Sequence, residues 1–299
     1  MQALRLPFRD FDAKRFPWML GAIALIFSLL YAPLLAHWVQ GWMKKTISIE
    51  HEYFSHGMLG LPFAAYLAWQ SRSQLSECIA DRRDQALGMG LCAIASGLYL
   101  SHLADPVNLS FPLMLTGLAI AFTGQTGLKI VGFPLLLVWF ATPNEIPYLI
   151  APYTAPLQIF IANVAGFILN ILGSQVVVDQ MFLYINGKQV EVAPYCAGLK
   201  MLFTSLYVAM LLLYWTGLGR SRQFAAFFFA STIAISIVGN IVRNTLLTYF
   251  HGNGQEALFV WLHDSWGGDL YSALILGILV WWIGKFEEPR TISRQPNQP

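Results

Sequence analysis

Charge is what this chain has least of. It carries 18 Lys and Arg and 16 Asp and Glu among 299 residues, 11% in all, where soluble domains carry roughly a quarter. Together with 56% apolar residues and a positive mean hydropathy, that scarcity excludes a water-soluble protein as the main body. No stretch has the composition of a separate soluble domain. The net charge of +2 is too small to argue for nucleic acid. A clear small-residue cleavage site is missing after the first apolar run, which argues against a removed secretory signal. Internal repeats are not evident, and no His-Glu-x-x-His spacing marks a metal site. Cysteine is limited to Cys78, Cys92 and Cys196.

What is present is a series of apolar segments of membrane-crossing character. They run over Pro17 to Trp38, Gly57 to Trp69, Ala86 to Leu103, Val107 to Gly124, Leu128 to Thr142, Pro152 to Gly173, Ala197 to Leu218, Phe224 to Leu247 and Gly267 to Gly284. Residues 1–16 read as a cytoplasmic N-terminal segment, 17–284 as one transmembrane domain, and 285–299 as a charged tail, rich in Pro and Gln and expected to be disordered.

Loop charge orients the segments. Arg5, Arg9, Lys14 and Arg15, the Arg72 to Arg83 loop, the Gly219 to Arg222 turn, and Lys285 with Arg290 hold most of the basic residues, so both termini are expected in the cytoplasm. Six apolar segments precede Cys196, yet an outward Cys196 needs an odd number of crossings. Pro152 to Gly173, with Pro152, Pro156, Gln158, Asn163 and Asn170, is expected to be the non-spanning or re-entrant one. The expected fold is therefore an all-α integral membrane protein, a bundle of about eight transmembrane helices. Gln175 to Val192 is different in kind. β-branched and aromatic residues flank Asn186-Gly187, so 175–193 is expected to form a small β-hairpin outside the membrane.

Three residues suited to acyl transfer fall on the outer side under this orientation: Cys196, Arg243 and His263. Cys78 lies in a cytoplasmic loop and Cys92 inside a span, so neither reaches Cys196, leaving a lone outward thiol. At a helix N-terminus, and near a cation, such a thiol gains thiolate character. The competing reading is a small buried hydrophobe. Ser236, Asn240, Arg243 and Asn244 share one helix face, and an arginine in a span is costly enough to be a functional candidate, unless it snorkels to the interface. His263 sits between Trp261 and Trp266, with Asp264 or Asp269 as a carboxylate to orient the ring and His251 as a rival; an aromatic belt would also explain it. His51, Glu52 and His56 form a second outer group whose spacing does not fit zinc, and no metal or cofactor is expected.

The run Val190-Glu191-Val192-Ala193-Pro194-Tyr195-Cys196-Ala197-Gly198-Leu199-Lys200, then Asn240-Ile241-Val242-Arg243-Asn244, then His263 before Gly267-Gly268, resembles the exosortase and archaeosortase family. Glu50-His51-Glu52-Tyr53-Phe54-Ser55-His56-Gly57 resembles it too, and the set is similar to the cyanobacterial branch, the cyanoexosortases. The resemblance covers most of Ile47 to Gly284. It implies a membrane-embedded cysteine protease and transpeptidase acting on exported proteins. Their C-terminal sorting signal would comprise a short motif such as Pro-Glu-Pro, a transmembrane helix and a basic tail. Cys196 then matches the nucleophile, Arg243 the active-site arginine and His263 the third catalytic position, with Asn240, Asn244, Glu52 and His56 as substrate-binding candidates. Ala197 departs from the Ser that many members have after the cysteine. A lipid, a surface polysaccharide or water is the expected acceptor. Two other readings stay open: a transporter of an anionic solute along the Asn240, Arg243, Asn244 stripe, and a non-catalytic membrane scaffold.

Overall fold

A computed structural model of the protein describes residues 17–43, 53–193 and 198–287. The expected N-terminal segment 1–16 and the tail from 288 onward lie outside the described residues, as do His51, Glu52 and Cys196. Two compact units make up the chain, 1–145 and 146–299.

The first unit contains α1 (Pro17–Met43), α2 (Gly57–Gln70), α3 (Arg72–Leu75), α4 (Arg82–Tyr99) and α5 (Ala104–Ala141). Helix α4 starts ahead of the apolar run because Asp81 caps it, its carboxylate accepting the Asp84 N–H at 2.7 Å. The 38-residue α5 is two helical runs about Gly124, whose φ of 66° and ψ of −173° are not helical. Asp84 seals this break: its Oδ2 accepts the Gln125 N–H at 3.3 Å and lies 2.6 Å from where a Cβ on residue 124 would stand. The separation expected between Val107 to Gly124 and Leu128 to Thr142 is thus present within one element. Glycines let α4 and α5 approach closely, since a Cβ on Gly88 would lie 2.6 Å from the Gly117 carbonyl oxygen. Polar groups on α5 are matched by aromatic donors from α1. The fully buried Tyr31 donates to Ser110 Oγ at 3.2 Å, and Trp38 Nε1–H donates to Asn108 Oδ1 at 2.8 Å.

The second unit contains α6 (Ile146–Ile150), a 3₁₀ turn (Ala151–Thr154), α7 (Ala155–Ile171), β1 (Val176–Asp179), β2 (Phe182–Ile185), β3 (Lys188–Glu191), α8 (Leu199–Thr216), α9 (Arg222–Gly252), α10 (Glu256–Asp264) and α11 (Trp266–Gly284). The strands correct the expected hairpin: they form a three-stranded antiparallel sheet in the order β1-β2-β3. Asn186 and Gly187 both have positive φ, as a type I′ turn requires. The extra strand arises from a second tight turn at Gln180, φ 53°, a residue without a strong turn signature.

The sheet lies on α7. Ile161, Ala165 and Leu169 pack against Val176, Leu183, Ile185 and Val192. The amides of α7 secure it: Asn170 both donates to the Val176 carbonyl (3.0 Å) and accepts the Val176 N–H (2.9 Å), and Gln158 Nε2–H donates to the Val192 carbonyl at 2.9 Å. These residues are therefore sheet anchors. Pro152 lies in the 3₁₀ turn and Pro156 in the first turn of α7, where a missing N–H costs little. Among the described residues, five stretches are long and apolar enough to cross a membrane: Ala104–Ala141, Ile146–Ile171, Leu199–Thr216, Arg222–Gly252 and Trp266–Gly284. By length and composition, the segment expected not to span therefore stands with the candidates.

Candidate active site

Helix α9 presents Asn240, Asn244, Leu247 and His251 on one face, at intervals of three and four residues. Asn240 and Asn244 are each 2% exposed. Asn244 Nδ2–H donates to the Asn240 carbonyl (2.9 Å) and to its Oδ1 (3.2 Å), so the Asn240 amide is held with its oxygen engaged. Asn240 Nδ2 has no hydrogen-bond partner among the described residues. Gly198, two residues beyond Cys196, stands directly against that amide: a Cβ there would lie 2.7 Å from Asn240 Cγ and Nδ2. With φ at 88°, Gly198 also takes a left-handed conformation that glycine adopts without strain. Helix α8 consequently begins at Leu199, short of the expected Ala197.

Arg243 projects from the same stretch of α9 and is half-buried. Its Nη2 donates, at the long distance of 3.5 Å, to the Leu262 carbonyl in the last turn of α10, where the helix dipole places partial negative charge. Gly268 lets α11 pack closely on that carbonyl, since a Cβ there would lie 2.9 Å from the Leu262 oxygen. Arg243 Nε is buried with no hydrogen-bond partner among the described residues. The residue after Leu262 is His263. Its Nδ1 lies 2.6 Å from Asp264 Oδ1 and its ring stacks on Phe259, centroids 5.2 Å apart and planes at 10°. Asp264 is thus a carboxylate beside the ring.

A cleft of about 260 Å³ opens between these helices and β3. Asn244, Leu247 and His251 line it from α9, Phe259 and His263 from α10, and Gln189, Val190 and Glu191 from β3. At its rim Lys188 Nζ donates to the His251 carbonyl (2.8 Å) and to Glu256 Oε1 (2.9 Å), and His251 Nδ1 lies 3.1 Å from the same oxygen. The Lys188 ammonium holds the Glu256 carboxyl below the usual carboxylate range.

Of the residues singled out in the sequence, Asn240, Arg243, Asn244 and His263 lie together in this unit, with Asn244 and His263 in the cleft itself. Cys196 and Glu52 lie outside the described residues. His56 belongs to the first unit, where it is 5% exposed and its Nε2 sits 3.0 Å from the Phe140 carbonyl oxygen. Burial pushes its pKa down to about 4, keeping the ring neutral near pH 7. His251, posed as a rival to His263, shares the cleft, and Phe259 stands against both rings. Phe259, Lys188 and Glu256 were not anticipated; the i, i+4 spacing of Phe259 and His263 was the available signal. Among the described residues, no three His, Cys, Asp or Glu side chains converge on one metal position.

Long apolar helices with a buried polar stripe define a multi-pass membrane protein whose polar cleft is built from helix ends and a small sheet. The chain matches the transmembrane exosortase family over residues 42–281 and belongs to that family. No curated protein and no solved structure matches it. Membership implies a membrane-embedded cysteine transpeptidase acting on exported proteins that carry sorting signals.

Proposed function

We propose that the protein is an exosortase of the cyanobacterial branch. It lies in the inner membrane with about eight spans and both termini in the cytoplasm, and its site faces outward. It would cleave a Pro-Glu-Pro-type C-terminal signal and pass the exported protein to a lipid, a surface polysaccharide or water. The Cys196 thiolate attacks the scissile carbonyl carbon, the C–N bond breaks, and a thioester forms on sulfur. His263 gives its proton to the leaving amine, then takes one from the acceptor's amine or hydroxyl as that group attacks the thioester and the thiolate departs. Arg243 keeps its charge throughout and stabilises the thiolate and the tetrahedral oxyanion. Asn240 and Asn244 hold the substrate backbone.

One observation carries this reading. The chain two residues past Cys196 packs on Asn240, one helical turn from Arg243, whose guanidinium reaches the carbonyl next to His263. Purified chain in lipid nanodiscs, given a reporter ending in Pro-Glu-Pro, an apolar helix and a basic tail, should release the tail and leave a thioester-linked reporter trappable by hydroxylamine. Cys196→Ser should abolish both. Cleavage unaffected by Cys196→Ser would refute the assignment.

A further inference from the structure

Three consecutive β3 residues, Gln189, Val190 and Glu191, line the cleft. Neighbouring side chains on a strand point to opposite faces, so what borders the cleft is the edge of the sheet. The ladder tells which backbone groups point that way. Val192 N–H donates to the Met181 carbonyl at 2.9 Å, and the register pairs Phe182 with Glu191, Leu183 with Val190 and Tyr184 with Gln189. Antiparallel ladders alternate. Lys188, Val190 and Val192 therefore turn their N–H and C=O toward β2, while Gln189 and Glu191 turn theirs outward. Among the described residues no strand pairs with that side, and both residues are exposed.

We infer that the β3 edge is the substrate-docking element: the sorting signal adds to it as an extended strand, pairing its backbone with the N–H and C=O of Gln189 and Glu191. This rests on the transpeptidase reading above. Three features favour a peptide as occupant. In sequence the edge is followed by Val192 and Ala193 and then by the stretch that holds Cys196, so a segment paired with it is bound next to the part of the chain that carries the nucleophile. The opposite wall offers Asn244 and His263 beside the apolar Leu247 and Phe259, suited to alternate side chains of a strand. The edge itself is anchored, by Lys188 to Glu256 and the His251 carbonyl and by Asn186 Nδ2–H to the Gly252 carbonyl (3.2 Å), so little ordering cost is left to binding. Strand addition draws affinity from the main chain and specificity from alternate pockets.

The test uses the full chain in nanodiscs, with the reporter above as substrate and a short Pro-Glu-Pro peptide as competitor. The two prolines have no N–H, so pairing falls to the Glu between them. N-methylation of that Glu should weaken inhibition about tenfold, on the scale of one lost backbone hydrogen bond, whereas N-methylation three residues later, in the opposite register, should change it little. Within the protein, the N–H groups that Gln189→Pro and Glu191→Pro remove lie outside the β2 ladder, as edge prolines require, and each variant should fall about tenfold below the alanine variant at the same position in kcat/KM. Cleavage with no dependence on register, and equal proline and alanine variants, would overturn strand pairing while leaving the peptidase reading intact. No cleavage by the native chain overturns both. Disulfide-linked dimers of Glu191→Cys in a Cys196→Ser background would make a second copy the occupant and overturn the peptide.

Discussion

Two left-handed glycines flank α8, and they allow backbone strain to be separated from crowding. Gly198 (φ 88°) and Gly217 (φ 75°) both pay roughly 1–2 kcal/mol when replaced by alanine. At Gly217 a Cβ meets nothing within 4 Å; at Gly198 it would stand 2.7 Å from Asn240 Cγ, roughly 0.7 Å inside ordinary contact. Asn240 has little freedom to yield, being 2% exposed and bonded to Asn244. The displacement must then fall on residue 198 and the chain leading into it from Cys196. A misplacement approaching 1 Å costs on the order of 10² in rate. Gly198→Ala should therefore lower reporter cleavage, as kcat/KM, by about 10², while Gly217→Ala shows the stability loss alone in a thermal melt and cleaves as the native chain does. Equal activities for the two variants would refute the reasoning, because Gly217→Ala carries the same backbone strain with no crowding and at the end of α8 away from Cys196 in sequence.

Other perturbations test separate parts. His56 has a pKa near 4 in the fold, against about 6.5 when free; the unfolded chain binds more protons between these values, so stability is full above pH 6.5 and declines as pH falls toward 4, by at most ~3 kcal/mol. His56→Gln should flatten that dependence in melts from pH 7 to 4.5, and identical profiles would refute it. Asn108→Leu leaves the buried Trp38 N–H without its 2.8 Å acceptor and should cost about 1–3 kcal/mol, read in the same melts; an unchanged melt would count against the pairing. Arg243→Ala should slow cleavage by about 10²–10³, and Arg243→Lys should recover only part, since a point charge does not replace a planar fork. Full recovery by Lys would argue for charge alone.

Much of the helical pattern was legible because apolar runs and charge gaps report burial in lipid directly. Boundaries moved where a single side chain took over: Asp81 as cap brought α4 forward to Arg82, and Gly198 held α8 back to Leu199. The Asn-Gly turn was readable because it needs two positive φ values, whereas Gln180 reaches the same region without a residue that announces it. Prolines and amides in 152–173 suggested a broken segment, but amides satisfy a sheet as readily as a cavity, and Gln158 and Asn170 do so. At the site, composition selected Arg243 and His263. Their shared neighbourhood depends on α10, a nine-residue helix too short for hydropathy to register as a separate element.

The ring of Phe259, set against both His251 and His263, has a consequence for charge movement. It can neither give nor accept a proton, so no proton passes through it from one imidazole to the other. The Lys188, Glu256 and His251 cluster braces the end of β3, while the His263–Asp264 pair stands at the other contact of the same ring.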